Sequence, residues 1–472
     1  MKKKKIVLYN PKAVFYDMPL ALLSIGSMLD PEHYDVIIID GRVEESPLQM
    51  VLEACQDAIC FGVTSLTGNP LNDALMVTKS VRAKHTKIPI IWGGWHTSLF
   101  PEDTLRDEEA IDISVQAQGE ITFREIVMAI ESGASYEHIA GICYRNAKNE
   151  IIKNPGRMLE DMNFLPRVNY DLIDVEKYFK AKKKRQFDYI SSTGCRFRCT
   201  FCADPTVFSR KWTSISPERM GEELEHWYKK YKFTDINFQD ETFFTKRQRV
   251  SAIASQFIKR KIDISWAGTL RADQGSRMSD EDYDLCKKSG LRRVLVGVES
   301  GSQVMMDWLA KDIKLEQVYQ TAEKCAEREI DVIFPFIVGF PNETEQSVDD
   351  SMRVARELNT MHPGFTTPIF YFKPYPGSKI TDDVVKEGYK LPATIKEWSD
   401  FDFVDSIGPW VDQDKYKLIE RFKFFNKIAG RKKSLLSFPI QWVANFRCKN
   451  KIFSFPIEKY IYDKLFSKQE LS

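Results

Sequence analysis

Cys195, Cys199 and Cys202 lie within the run Ser191-Ser-Thr-Gly-Cys-Arg-Phe-Arg-Cys-Thr-Phe-Cys-Ala203, directly after a predicted strand. Their spacing, C-x3-C-x2-C, lets three thiolates converge on one inorganic centre. Soft thiolate ligands select iron–sulfur clusters. Three of them on a 4Fe-4S cluster leave one iron without a protein ligand, open to a substrate or cofactor. Two other readings compete. A zinc site takes a fourth Cys or His, and none follows locally. Three unrelated buried cysteines would need no ligand.

The elements that must position such a loop can be read from hydrophobic periodicity. From residue 1 to about 150, predicted strands at Ile6–Tyr9, Tyr34–Asp40, Ala58–Thr64, Ile88–Gly93 and Asp112–Gln116 alternate with helical patterns. That βα rhythm predicts a doubly wound parallel sheet. Ligands bind such sheets beyond the carboxyl ends of the strands. The loops there carry Ser65, Leu66 and Thr67, then Gly93, Gly94 and His96, then Gly119 and Glu120. Small and hydroxyl-bearing, they let the backbone approach a broad planar ligand. No G-x-G-x-x-G follows the first strand, which argues against a dinucleotide site.

A second βα series starts at Phe187. Strands are expected at Phe187–Ser192, Asp235–Gln239, Ile262–Gly268, Arg293–Val298, Val332–Val338 and Thr366–Phe372. Polar residues recur after them: Asp240 and Glu241, then Arg271 and Glu299. Carboxylates accept charge-assisted bonds from an ammonium group, and a guanidinium pairs a carboxylate in forked geometry. Taken singly, each is an ordinary loop residue.

Composition sets limits. The 472 residues imply two to four domains, and a net charge of +1 gives no global field for a polyanion such as nucleic acid. Nine cysteines without paired spacing argue against a disulfide scaffold and for a reducing, cytoplasmic setting. Cys55, Cys60, Cys143, Cys286, Cys325 and Cys448 are expected to be buried. The apolar run after Lys2–Lys5 is too short for a signal core, and no stretch approaches the ~18–20 residues of a membrane span. Residues 414–472 hold fourteen Lys or Arg against five acids, interleaved with Phe, Trp and Tyr. Leu418, Phe422, Phe425 and Ala429 keep one-face helical spacing. This segment reads as a helical cap with a solvated basic back, or as a peripheral contact with a membrane surface or a lipid-like substrate.

With aromatic Phe201 before its last cysteine, the motif closely resembles the signature of the radical S-adenosylmethionine (SAM) superfamily. Ahead of it, Gly62–Thr67, Gly93–His96 and Gly119-Glu120 resemble the loops of the cobalamin-binding domain found in cobalamin-dependent radical SAM enzymes. The resemblance covers about residues 1–380. It implies an α/β chain: a Rossmann-like cobalamin-binding domain (1–150), a linker (151–185), a partial (β/α)6 TIM barrel (186–385) and a mainly helical extension (386–472). It implies three cofactors: a 4Fe-4S cluster on Cys195, Cys199 and Cys202, SAM, and cobalamin. Phe201, Asp240, Glu241, Arg271, Glu299 and Gly339 then fall near SAM. Ser65, Leu66, Thr67, Gly93, Gly94, His96, Gly119 and Glu120 fall near cobalamin. The implied activity is methylation of an unactivated carbon through a 5′-deoxyadenosyl radical, with an external one-electron reductant of flavodoxin or ferredoxin type. Oxidative cyclisation or rearrangement is the alternative, and a sensor without turnover a further one. One departure matters. The Asp-x-His-x-x-Gly motif whose histidine ligates cobalt in many cobalamin proteins is absent, and Asp40-Gly-Arg-Val-Glu44 stands in its place. His96 is the nearest substitute, and Leu66 or another loop residue is expected at the lower face.

Overall fold

The structure, a computed structural model, describes residues 2–401, 407–430, 438–454 and 456. The chain forms two compact units. One comprises Met1–Glu241, Lys259–Ile264 and Tyr375–Val404; the other comprises Thr242–Ile258, Ser265–Pro374 and Asp405–Ser472.

The first unit opens with a seven-stranded sheet. Its strands are β1 (Lys4–Asn10), β2 (Tyr34–Asp40), β3 (Ala58–Ser65), β4 (Ile90–Gly94), β5 (Ile113–Val115), β6 (Ile142–Arg145) and β7 (Ile151–Lys153). They run in the order β2-β1-β3-β4-β5-β6-β7. The five strands from β1 to β5 pair in parallel. Ile6, Val7, Leu8 and Tyr9 of β1 are all buried, the continuous apolar run of a strand covered on both faces. Helices Leu20–Ser27 and Glu120–Ser132 cover the face of Ile6 and Leu8, with Leu22, Phe123 and Ile126 in that core. Pro47–Ala54, Pro70–Lys84 and Pro101–Asp107 supply the other cover, and each begins with a proline, whose fixed φ suits the first helical turn. The expected sheet was wholly parallel; the structure adds the antiparallel pair β6 and β7 at its edge. These strands are too short to show a period. Asn146 turns one into the other, its Oδ1 accepting the Lys148 and Glu150 N–H groups.

The rest of this unit carries the cysteine loop. β8 (Gln186–Tyr189) leads to β9 (Ser192–Thr193), and β10 (Thr213–Ser214) pairs antiparallel with β9. Helix Pro217–Tyr231, capped by Ser216, follows, and β11 (Asp235–Phe238) returns parallel to β8. Tyr375–Val404 then rejoins the unit from far along the chain. Ile380 N–H donates to the Thr200 carbonyl, and helix Ile395–Ser399 buries Ile395 and Trp398 in the core that holds Leu71 and Val81. Ser399 accepts from the Asn72 amide through its carbonyl, and the Trp398 and Phe100 rings lie 4.9 Å apart.

In the second unit β12 (Ser265–Leu270), β13 (Leu291–Val296) and β14 (Asp331–Ile333) pair in parallel, and β16 (Phe365–Thr366) continues from β14. β15 (Phe336–Val338) pairs with β17 (Ile369–Tyr371). The segments expected as single strands at Val332–Val338 and Thr366–Phe372 are therefore each broken in two. Pro335 and Pro368 stand in the gaps, and proline has no N–H for a ladder. Their carbonyls still accept, Pro335 from the Val298 and Glu299 N–H groups and Pro368 from Phe336. Helices Gln413–Ala429 and Phe438–Asn450 lie in the extension. The first buries Ile419, Phe422, Phe425 and Asn426, so Leu418 and Ala429 flank the buried stripe rather than belonging to it. Much of the basic, aromatic segment, including Lys432, Lys433 and Tyr460, lies outside the described residues. Among the described residues no helix is long and apolar enough to cross a membrane.

Candidate cofactor site

β9 ends at Gly194, whose φ is +80°; a Cβ there would collide with the Lys211 carbonyl, so only glycine lets the chain turn into the cysteine loop. Cys195, Cys199 and Cys202 follow, all half-buried, whereas the six other cysteines are buried as expected. The Cys202 N–H donates to the Cys199 carbonyl at 3.2 Å, a turn that folds the last thiol back toward the second. Burial pushes the Cys202 thiol up to about 12, and the charges of Asp204, Cys199 and Cys195 act in the same direction. A bound metal would reverse that balance, since a coordinating thiol is deprotonated outright. Among the described residues no three Cys, His, Asp or Glu groups gather tightly enough for a single ion. Thiolates that serve different irons of one cluster need no such gathering. Phe201 is half-buried within the loop.

Asp240, at the end of β11, is buried and accepts from Ser191 N–H at 3.1 Å, Ser191 Oγ at 2.7 Å and Ser192 Oγ. It thus anchors the run that leads into the cysteines. Glu241 differs. Its Oε2 is buried without a hydrogen-bond partner, and burial raises its carboxyl to about 8, helped by the charges of Asp204 and Asp240.

Glu241 faces a cleft of about 1260 Å³, part of it open to solvent, within the first unit. One wall comes from the seven-stranded sheet and its loops, including Gly62, Gly93, Gly94, Gly119 and Glu120; the other includes Ile190, Thr193 and Phe208 from the cysteine-loop side. A second cleft of about 910 Å³ shares Thr64, Gly94 and Phe208 and adds Ser65, Leu66 and Trp95. At Gly94, with φ +105°, a Cβ would stand 2.6 Å from the Ser65 carbonyl oxygen, so the β3 and β4 ends can approach only without a side chain. Leu66 is 41% exposed beside this opening. Glu120 accepts from Ser24 Oγ at 2.8 Å, and burial raises its carboxyl.

Thr67 and His96 line neither cleft. They are buried and bonded to each other, Oγ1 to Nδ1 at 3.0 Å, with the His96 ring 5.3 Å from that of Phe100. Burial lowers His96 to about 4, which keeps its imidazole neutral. Apolar walls, glycines at the strand ends and two orphaned polar atoms, Glu241 Oε2 and Gln118 Nε2, fit a large cofactor with an apolar body and a polar rim. Gln118 belongs to the strand-end loop Gln118-Gly119-Glu120 that the sequence points to, whereas sequence reasoning missed Phe208 as a wall residue, whose only signal is its closeness to the cysteine motif.

Arg271, Glu299 and Gly339 belong to the second unit. Arg271 donates through Nε to Asp273 at 2.9 Å and through Nη2 to the Lys311 carbonyl at 2.6 Å. Glu299, with φ +68°, accepts from Lys311 Nζ at 2.7 Å, both side chains buried. Lys311, unmarked by any motif, therefore joins two of the expected residues in one buried cluster. Gly339 donates its N–H to Glu343, and Val411 of the extension occupies the place a Cβ would take.

A B12-binding sheet set ahead of a radical SAM cysteine loop defines the class. The chain matches the family model of the radical SAM superfamily over residues 189–355 and that of the B12 binding domain over residues 7–127. It belongs to the radical SAM superfamily and is a cobalamin-dependent radical SAM enzyme, with a Rossmann-like domain ahead of a partial TIM barrel. It is 28% identical to an uncharacterized methyltransferase of Pyrococcus horikoshii, over 85% of this chain and 86% of that one. It is 24% identical to the anaerobic magnesium-protoporphyrin IX monomethyl ester cyclase of Rubrivivax gelatinosus, over 86% and 72%. Among solved structures, the radical SAM methyltransferase TsrM from Kitasatospora setae, with cobalamin and a 4Fe-4S cluster bound, superposes with a TM-score of 0.70. It shares 15% identity over 95% of this chain and 100% of that one, a likeness of fold.

Proposed function

We propose that this enzyme methylates an unactivated carbon of a small-molecule substrate. The observation that carries the reading is the shared wall: Phe208, six residues past Cys202, borders both clefts together with Gly94 of the B12-binding sheet. Chemistry started at the cysteine loop and a methyl donor held by the sheet would thus meet in one cavity. When bound, the cluster on Cys195, Cys199 and Cys202 supplies the electron that cleaves SAM, and cobalamin carries the methyl group. The chain's own residues bind, orient and exclude water. Gly194 and Asp240 set the loop's path, and Gly93, Gly94 and Gly119 open the cleft. Glu241, neutral at pH 7 through burial, can donate as well as accept a hydrogen bond there. The Arg271–Lys311–Glu299 cluster would fix polar groups of SAM. Similarity to the cyclase favours oxidative cyclisation as the second reading.

An anaerobic assay of the reconstituted enzyme with SAM, cobalamin, a low-potential reductant and host extract tests both. A product heavier by one methyl group, formed with S-adenosylhomocysteine, supports methylation. An unmethylated, oxidised product with 5′-deoxyadenosine supports cyclisation, and no SAM cleavage would leave only the sensor. Exposed Trp442 and Phe446 beside Lys449 support peripheral contact with an anionic membrane surface, which salt-sensitive binding to anionic vesicles would test.

A further inference from the structure

Gln118 is 8% exposed and stands just before helix Glu120–Ser132. Its Oε1 accepts the Glu160 backbone N–H at 2.8 Å. That bond fixes which way the amide points: the N–H requires an acceptor, so the oxygen faces Glu160 and the NH2 group faces away. Gln118 lines the first cleft, and its Nε2 is buried with no hydrogen-bond partner. A buried donor left unpaired is costly, and native structures leave few. Ile25, Val63, Ile91, Val115 and Leu165 line the same cleft, with Ser24, Arg219 and Glu223 among its polar residues. The apolar part of these walls suits a flat aromatic ring. Cobalamin carries such a ring, the base of its nucleotide arm, next to ribose and phosphate oxygens that accept hydrogen bonds.

We propose that Gln118 is a specificity-determining residue whose side-chain amide donates to the nucleotide arm of cobalamin. The proposal rests on the cobalamin-dependent reading above and names which part of the cofactor the first cleft selects. Gln118→Glu is the informative change, because it keeps an acceptor for Glu160 and removes the donor. Gln118→Met removes the donor without adding charge.

The test is equilibrium binding of cobalamin and of cobinamide, which lacks the nucleotide arm, to anaerobic full-length protein followed by visible absorbance. Both variants should bind cobalamin about 3- to 10-fold more weakly, the range one neutral hydrogen bond spans, and bind cobinamide as the wild type does. Unchanged cobalamin affinity in the Met variant, or an equal loss for both corrinoids, would overturn the assignment. A wild-type protein that takes up neither corrinoid would instead overturn the functional reading itself.

Discussion

Replacing Glu241 with Gln should reshape the pH dependence of stability. The carboxyl ordinarily titrates at 4.5 and is raised to about 8 in the fold, chiefly by burial. The folded value lies above the unfolded one, so the native state keeps a proton that the unfolded chain gives up. Stability from this group is intact below pH 4.5 and is lost as pH rises toward 8, then stays level. Each pH unit across that window corresponds to about 1.4 kcal/mol, which gives at most about 5 kcal/mol for the whole. The replacement amide cannot ionise, so Glu241→Gln should match wild type near pH 4.5 and exceed it increasingly up to pH 8–9. At roughly 2–3 °C per kcal/mol for a unit of this size, the gap in unfolding midpoint should widen by at most about 10–15 °C. The assay is differential scanning fluorimetry of both proteins, without added cofactors, at half-unit pH steps. A gap that stays constant from pH 5 to 9 would refute the claim that Glu241 is neutral in the fold.

Cys195→Ala, Cys199→Ala or Cys202→Ala should each abolish cluster iron and SAM cleavage; iron retained in the triple variant, with 5′-deoxyadenosine still formed, would contradict the ligand assignment. Electron paramagnetic resonance of the cob(II)alamin form should show no nitrogen superhyperfine splitting, because His96 is buried against Thr67 and Phe100. His96→Ala should leave that spectrum unchanged, and a lost splitting would mark the histidine as a ligand. Lys311→Met should destabilise the second unit by about 3–5 kcal/mol by stranding the Glu299 charge. Adding Glu299→Gln should restore much of that in urea unfolding, and no recovery would mean that packing, not charge, set the cost.

Most of the strands were legible because burial writes apolar runs into sequence, as in Ile6–Tyr9, wholly buried within the strand Lys4–Asn10, and the edge strand Tyr34–Asp40 lies at its predicted bounds. The breaks at Pro335 and Pro368 were legible only in hindsight, since each proline sits inside an apolar run that periodicity alone joins. The cysteine loop was readable because ligand spacing is local. The neutral state of Glu241 and the burial of His96 were not, because both depend on neighbours distant in sequence. Lys311 shows the same limit: it carries no motif, yet it links Arg271 to Glu299. The return of Ile395 and Trp398 to the first core is likewise invisible to any local window.

That return has a consequence for synthesis on the ribosome. Trp398 meets Phe100, and Ser399 meets Asn72, only after residues 242–374 have been made. At ~5–20 residues per second the nascent sheet waits roughly 10–30 s after Glu241 for its last cover. Through that interval the hollow destined for Ile395 and Trp398, bordered by Leu71, Val81 and Phe100, has no native lid. A fragment ending at residue 185 would keep it uncovered permanently. The B12-binding half is therefore a poor candidate for production alone, and a nascent-chain holdase is the kind of factor its biosynthesis would reward.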